Sequence, residues 1–136
     1  MDYDDNNDEV IIEETNFTYE RDLQDALIRQ IGKLFPDYNI FENGVEYSIE
    51  GKRIDVLLEN KSKNELLIIE LKAGLAKKEV LSQISEYMGK LKRKFSDKNI
   101  NGLIIAGEID DSLKDACSPF PNIKTLKYGI EITLSE

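Results

Sequence analysis

Two carboxylates and one lysine, Asp55, Glu70 and Lys72, have the residue types and the spacing for metal-assisted hydrolysis. Two acidic groups close together in a partly buried place repel each other, and a divalent cation is the natural compensation. Mg²⁺ is well served by one or two carboxylates together with phosphate oxygens of a substrate. Lys72 could then position the attacking water and offset developing charge, and the backbone carbonyl of Leu71 could be a further ligand. The structural alternative is a solvated strand end in which Asp55 pairs with a nearby basic residue.

The elements that must position these side chains are the two strands of a hairpin. Residues 53–59 and 65–72 flank the polar loop 61–64, which is typical of a β-hairpin. If Asp55 lies opposite Glu70, the same register closes a four-residue loop, and the lysine follows two residues later on the same face. The second strand is apolar at both parities up to Glu70, so we expect both faces of the sheet to be covered.

Hydrophobic periodicity and turn residues predict the remaining elements of an α/β fold. They are a helix capped by Thr18 and running to Phe35 with Leu23, Leu27, Ile31 and Leu34 as its buried stripe, one or two strands in 38–49, a helix over 77–95, a strand over 102–106, a helix over 110–117 and a strand or hairpin over 123–134. With the hairpin, the order is α-β-β-β-α-β-α-β. We therefore expect a mixed β-sheet flanked by helices.

The composition excludes several kinds of catalytic site. The 136 residues contain no histidine, so Ser-His-Asp or Cys-His catalysis, histidine-ligated zinc and histidine general bases are excluded. The apolar runs are too short to span a bilayer, and the N-terminus does not resemble a secretory signal. The lone Cys117 cannot form an internal disulfide. We therefore expect a cytoplasmic protein without a membrane partner.

The net charge is unevenly distributed. The chain carries 27 acidic and 18 basic residues, a net charge of −9, but seven of the acids and none of the bases lie in residues 1–14. We expect these residues to form a flexible acidic arm, or else a polyanion mimic that folds over basic surface, and 15–136 to form a single domain. Residues 77–98 carry seven bases and three acids. The overall charge is therefore compatible with a nucleic-acid partner.

Three short motifs follow one another along the chain: Gly51-Lys-Arg-Ile-Asp55, Glu70-Leu-Lys72 and Gln83-Ile-Ser-Glu-Tyr87. In this order they resemble the PD-(D/E)xK nuclease superfamily, and in particular the RecB-like pattern G-x-x-x-D, (D/E)-x-K, Q-x-x-x-Y. The stretch Ile69-Glu-Leu-Lys-Ala-Gly, followed by a helix with Gln83 and Tyr87, is also similar to NucS-type endonucleases. The resemblance covers roughly residues 18–106 and implies a restriction-endonuclease-like core.

The resemblance also implies a role for each residue of the metal site. Asp55 and Glu70 would be ligands of Mg²⁺ or Mn²⁺, and Lys72 would be the catalytic lysine. Glu20 matches a first-helix glutamate that often completes the site, and it shares a helix face with the apolar stripe. The alternative for Glu20 is stabilisation of the helix dipole.

A second group of residues would contact nucleic acid. By the resemblance Gln83 faces the active site as a catalytic residue, and Tyr87 supports it or touches the nucleic-acid backbone. The alternative is that Tyr87 packs in the core and Gln83 lies at its rim. The basic residues expected to contact phosphates without reading sequence are Lys52, Arg53, Lys90, Arg93 and Lys94, with Lys92 and Lys98 in the same cluster. A solvated surface is the alternative for this cluster.

The leading hypothesis is a Mg²⁺-dependent deoxyribonuclease that hydrolyses DNA phosphodiesters by in-line attack of water. A chain this short leaves little surface for reading sequence, so we expect it to act on DNA structure or ends, as a homodimer or as a subunit of a larger complex. One alternative is a dimeric endonuclease like the Holliday-junction resolvases. Another is a non-catalytic nucleic-acid or protein-binding module on the same scaffold. The sequence does not distinguish DNA from RNA, or endonuclease from exonuclease.

Overall fold

The computed structural model describes residues 16–136, which form one five-stranded sheet with helices on both faces. The helices are α1 (Glu20–Arg29), α2 (Ile31–Leu34), α3 (Glu79–Lys94) and α4 (Asp111–Cys117). The strands are β1 (Asn39–Ile49), β2 (Lys52–Asn60), β3 (Glu65–Ala76), β4 (Asn99–Ile109) and β5 (Ile123–Lys127). The acidic arm predicted for residues 1–14 lies outside the described residues. None of the helices in residues 16–136 is long and apolar enough to cross a membrane.

The strands lie in the sheet in the order in which they occur in the chain. β1, β2 and β3 pair antiparallel, whereas β3, β4 and β5 pair parallel, with α3 and α4 in the two crossovers. The mixed sheet and the α/β class predicted from the sequence are therefore confirmed. β3 is the central strand, so its apolar run from Leu66 to Ile69 is paired on both sides.

Two hydrophobic clusters, one on each face of the sheet, form the core. Leu66 and Ile68 of β3 pack with α3 and α4, and the alternate residues Leu67, Ile69 and Leu71 pack with α1. All five side chains are buried. The apolar residues at both parities of β3 are thus explained by helices on both faces, as the sequence indicated.

The hairpin of β2 and β3 has the predicted register. Asn60 pairs with Glu65, and the ladder continues to Val56 opposite Ile69. The preceding turn between β1 and β2 consists of Glu50 and Gly51, whose φ angles are 49° and 78°. Two successive positive φ angles are typical of a type I′ turn, which matches the twist of a two-residue hairpin. Asp55 and Glu70 are thereby set at the end of the paired region.

The first helix differs from the prediction in its start and length, whereas Leu23, Leu27 and Ile31 of its predicted stripe are buried. Thr18 does not cap it: α1 begins at Glu20, and the carbonyl oxygen of Tyr19 accepts the first amides. Gln30 has a φ of −118° and a ψ of 14°, outside the helical region, and separates α1 from α2. Because of this break Leu34 does not continue the apolar stripe and is 50 % exposed.

Of the two segments whose number of strands was left open, the first agrees with the prediction and the last differs from it. Asn39–Ile49 form the single strand β1, which has an irregularity between Ile40 and Val45 at the Asn43 region. The last strand ends at Lys127, not at Leu134. After the amide of Tyr128 donates to the carbonyl of Ala106 at 3.0 Å, residues 129–136 contain no strand. The alternating residues Ile130, Ile132 and Leu134 therefore pair with no strand among the described residues.

Candidate functional site

The site forms where β2 and β3 separate. The ladder between the two strands ends at Val56 and Ile69, so Asp55 and Glu70 are the next residues in register. Beyond this point the carboxylate of Asp55 replaces a ladder partner, because its Oδ2 accepts a hydrogen bond from the backbone amide of Leu71 at 2.8 Å. The side chain of Gln24 on α1 donates to the backbone carbonyl of Asp55 at 2.9 Å. These two bonds fix the aspartate on both its side chain and its backbone.

Glu70 is a buried carboxylate without a hydrogen-bond partner. Its side chain is 3 % exposed, and Oε1 has no donor among the described residues. Burial raises the pKa of Glu70 to about 8, and the neighbouring Asp55 adds to this effect while Lys72 opposes it. Burial also raises the pKa of Asp55, and the Leu71 amide opposes that shift. The positive charge near the two carboxyl groups is therefore too small to keep both of them ionised. A bound cation would supply the missing positive charge.

Lys72 is the basic residue whose charge acts on both carboxyl groups. It lies two residues after Glu70 on β3, is half-buried, and is paired through its backbone register with Ala106 of β4. Within residues 16–136 its ammonium group forms no hydrogen bond or ion pair. Its charge opposes the raised pKa values of both Glu70 and Asp55, which places it close to both. The structure therefore brings together the three residues on which the sequence prediction depended.

Glu20 lies near the site, and its carboxylate already accepts a hydrogen bond within the protein. It begins α1, and its Oε2 accepts a hydrogen bond from the backbone amide of Ala73 at 2.9 Å. Its charge contributes to raising the pKa values of Asp55 and Glu70. No group of three or more Asp, Glu, Cys or His residues in 16–136 is arranged to hold a metal ion. A role for Glu20 as a metal ligand therefore stays a prediction, and its observed contact is with the backbone of β3.

Tyr128 is a residue of this region that the sequence did not identify. Its hydroxyl donates to the backbone carbonyl of Ala73 at 2.6 Å and accepts the amide of Phe17 at 2.8 Å. Both contacts join segments more than 50 residues apart in the chain. No short-range pattern predicts such a contact, because both partners of the tyrosine hydroxyl lie far away in the sequence.

Gln83 and Tyr87 lie on the α3 side of the site. The side-chain amide of Gln83 donates to the hydroxyl of Tyr87 at 3.1 Å, and Tyr87 is 5 % exposed. Burial raises the pKa of Tyr87, and the Glu70 and Asp55 charges raise it further, so the phenol is close to the carboxylates. Gln83, Tyr87 and Lys52 line one cleft of about 480 Å³. Tyr87 is thus buried in the core with its hydroxyl bound to Gln83, and a role of either residue toward a substrate stays a prediction.

Most of the predicted phosphate-binding residues form bonds within the protein. Their partners are the carboxylate of Glu50 for Lys90 and Arg93, that of Glu46 for Arg53, and the hydroxyl of Tyr47 for Lys94. The Lys90 hydrogen bond is the largest cause that lowers the pKa of Glu50. Lys52 forms no ion pair within the described part of the chain. Nucleic-acid contacts by this group stay a prediction, and any contact by Lys90 or Arg93 would have to compete with Glu50.

The donor set fits a hard divalent cation. Oxygen ligands from one or two carboxylates suffice for Mg²⁺, which otherwise keeps water and binds substrate phosphate. The unpartnered Oε1 of Glu70 beside Asp55 is such a donor pair. The Leu71 carbonyl as a third donor stays a prediction, since the structure assigns only the amide of this residue, which donates to Asp55.

Comparison with known proteins agrees with this architecture. The model of the family described as the endonuclease NucS C-terminal domain matches residues 19–118. Two solved structures superpose on the chain with TM-scores of 0.68 and 0.69: a repair endonuclease from Pyrococcus abyssi, 19 % identical over 85 % of this chain and 49 % of its own, and an EndoMS–dsDNA2 complex, 18 % identical over 92 % and 51 %. A third, EndoMS in apo form, has a TM-score of 0.60 at 15 % identity, over 83 % of this chain and 46 % of its own. No curated protein matches.

These structures share the fold of the chain, which spans about half of their length. The family match covers the three motifs, from α1 through the hairpin to Tyr87 and beyond to Ser118. The NucS-like branch that the motifs resembled is therefore confirmed. The chain belongs to the family of the endonuclease NucS C-terminal domain.

Proposed function

We propose that the chain is a divalent-metal-dependent nuclease domain that hydrolyses DNA phosphodiester bonds. The observation that carries the proposal is the unpartnered, buried carboxylate oxygen of Glu70 beside Asp55, with Lys72 next to both. A buried carboxylate without a hydrogen-bond partner destabilises a fold, so its presence calls for a functional explanation. Membership of the NucS C-terminal family supports the assignment, and the similarity to the EndoMS–dsDNA2 complex supports DNA as the substrate.

Each residue of the proposed site has its own role. Asp55 and Glu70 would hold Mg²⁺ or Mn²⁺, which when bound supplies Lewis acidity at a phosphate oxygen. The Leu71 amide keeps Asp55 oriented, so the carboxylate needs little reorganisation on binding. The ammonium group of Lys72 orients the attacking water and stabilises the negative charge that develops on the phosphate oxygens. Gln83, held by Tyr87, offers its amide to the substrate from the α3 side.

We infer that the domain acts on DNA structure or ends rather than on a base sequence. The residues near the site are acids, a lysine and an amide, and two of the basic residues of α3, Lys90 and Arg93, are engaged by Glu50. Because the chain spans about half of the related structures, we propose that a second copy or a further subunit contributes to DNA binding. A dimeric junction-cleaving enzyme is one form of this proposal.

One observation favours a second candidate, a non-catalytic nucleic-acid-binding module on the same scaffold. The described residues do not gather three carboxylates around one point, because Glu20 is bound to the Ala73 amide. A module that had lost its metal would still keep the hairpin, the two clusters and the surface of α3. Catalysis therefore has to be measured directly.

The test is cleavage of labelled single-stranded, duplex and branched DNA, and of RNA, with Mg²⁺, Mn²⁺ or EDTA. We expect metal-dependent cleavage of at least one DNA substrate and a loss of roughly 100-fold or more in Lys72→Ala. Lys61→Ala is the matched control, since Lys61 lies in the loop at the other end of the same hairpin. Absence of metal-dependent cleavage, or cleavage that survives Lys72→Ala, would support the binding module instead.

A further inference from the structure

β3 contains an irregularity immediately after Lys72. In the parallel ladder with β4, Lys72 pairs with Ala106, but the next pair is Leu75 with Glu108. Three steps on β3 therefore correspond to two on β4, which is a β-bulge at Ala73 and Gly74. A bulge leaves backbone groups without ladder partners, and bulges next to active sites redirect a neighbouring side chain. Here the neighbouring side chain is Lys72.

Both backbone groups of Ala73 are bound by side chains from distant elements. The amide donates to Glu20 Oε2 at 2.9 Å, and the carbonyl accepts the Tyr128 hydroxyl at 2.6 Å. Gly107 on β4 provides the room, because a Cβ at this position would lie 2.7 Å from the Ala73 carbonyl oxygen. Glu20 and Tyr128 thus hold the bulge at its amide and its carbonyl, and we call this arrangement the Ala73 clamp.

Tyr128 is itself held firmly enough to act in this way. Its hydroxyl accepts the Phe17 amide at 2.8 Å, and its ring stacks on Phe17 with centroids 5.9 Å apart. Its backbone amide donates to Ala106, the β4 partner of Lys72, at 3.0 Å. Burial raises the pKa of Tyr128, so the hydroxyl remains a hydrogen-bond donor at neutral pH.

We propose that Tyr128 is a positioning residue for Lys72, acting through the Ala73 carbonyl in the clamp that it forms with Glu20. The inference rests on the proposed function, in which Lys72 acts on the phosphate. Without the Tyr128 hydroxyl the Ala73 carbonyl lacks its donor, and the bulge can relax toward a regular ladder. Because Lys72 is the last residue before the bulge, a change of the backbone at Ala73 alters the direction of the Lys72 side chain relative to the carboxylates.

The experiment compares two tyrosine-to-phenylalanine variants that each remove one hydroxyl bound to β3. Tyr128→Phe removes the donor to Ala73 and leaves the ring. Tyr38→Phe is the matched control, because the Tyr38 hydroxyl donates to the Glu65 carboxylate at 2.9 Å, at the far end of the same strand. The control leaves Glu65 buried without this donor, so it tests whether loss of stability alone reduces activity.

Cleavage is measured at saturating metal and well below the unfolding temperature of each variant. We expect kcat of Tyr128→Phe to fall about tenfold or more while KM for DNA changes less than twofold, since only the geometry of Lys72 changes. We expect both constants of Tyr38→Phe to stay within twofold of the wild type. Equal kcat values for the two variants, or a Tyr128→Phe defect confined to KM, would overturn the proposal.

A second measurement does not depend on activity. Amide hydrogen exchange of residues 72–74 reports directly on the bulge. We expect exchange of the Ala73 amide to accelerate at least tenfold in Tyr128→Phe and to be unchanged in Tyr38→Phe. Unchanged exchange in Tyr128→Phe would overturn the clamp whether or not the protein cleaves DNA. Accelerated exchange in a protein whose wild type cleaves nothing would instead refute the proposed nuclease function and leave the clamp in place.

Discussion

The substitution Glu70→Gln removes an ionisable group that this fold buries without a donor for one of its oxygens. Glutamine has nearly the same shape, so the packing of the surrounding side chains changes little. We expect Glu70→Gln to stabilise the metal-free protein at neutral pH and to abolish the stabilisation that a divalent cation gives the wild type. The same change thus has opposite effects on the metal-free and the metal-bound protein.

The magnitude follows from the pKa of Glu70, whose ordinary value is 4.5 and whose value in the folded protein is about 8. Between these values the folded state keeps a proton that the unfolded state has released, so the free energy of unfolding falls as pH rises. At about 1.4 kcal/mol per pH unit, the wild type loses about 3 kcal/mol between pH 4.5 and pH 7. Glu70→Gln does not lose this stability, because glutamine does not titrate. Below pH 4.5 the titration of Glu70 therefore no longer makes the two proteins differ in free energy of unfolding.

The assay is urea denaturation in EDTA at several pH values from 5 to 8, repeated with Mn²⁺. The control is Glu108→Gln on the adjacent strand, where the carboxylate is 60 % exposed in an ion pair with Lys127 and its loss should change little at any pH. We expect Mn²⁺ to raise the midpoint of the wild type and of the control, but not that of Glu70→Gln. A Glu70→Gln protein that is less stable than the wild type at pH 7 in EDTA, or a difference independent of pH, would refute the reasoning.

Three other predictions concern the surfaces around the site. Glu50→Gln removes the carboxylate that holds Arg93 at 3.0 Å, so DNA affinity measured by fluorescence anisotropy should rise several-fold, and an unchanged affinity would remove the end of α3 from the DNA-binding surface. Deletion of residues 1–14 removes seven negative charges and should also raise DNA affinity, as should their replacement by a neutral Gly/Ser segment of equal length; an unchanged or weaker affinity would contradict the prediction. Glu20→Gln retains an acceptor for the Ala73 amide, so Mn²⁺ affinity by calorimetry should change less than threefold; a loss of tenfold or more would show that Glu20 is a ligand.

The hairpin and its acids could be predicted because their signals are local. A polar four-residue loop between two apolar runs defines the register, and the register alone places Asp55 opposite Glu70. The apolar residues at both parities of β3 predicted helices on both faces for the same reason. Three motifs at suitable separations then indicated the family to which the chain belongs.

What the sequence could not predict depends on contacts between distant segments. The engagement of Glu50 by Lys90 and Arg93 joins a turn to a helix 40 or more residues away. From the sequence these bases appeared as an unpaired cluster on α3, because charge counts within a window do not include partners outside it. The break at Gln30 and the contacts of Tyr128 have the same origin. Both depend on tertiary packing, which local propensities do not predict.

The position of the carboxylate pair within β3 follows from the cost of burying it. An unfavourable contribution of about 3 kcal/mol is a large part of the stability of a small domain, so only a well-supported strand can carry it. β3 has neighbouring strands on both sides and helices over both faces, and residues 65–71 are all buried. At its end the ladder with β2 stops and the bulge begins, which opens the strand to solvent and substrate beside Glu70. The central strand therefore provides the stability that the buried acids reduce, and its irregular end provides the access that a reaction requires.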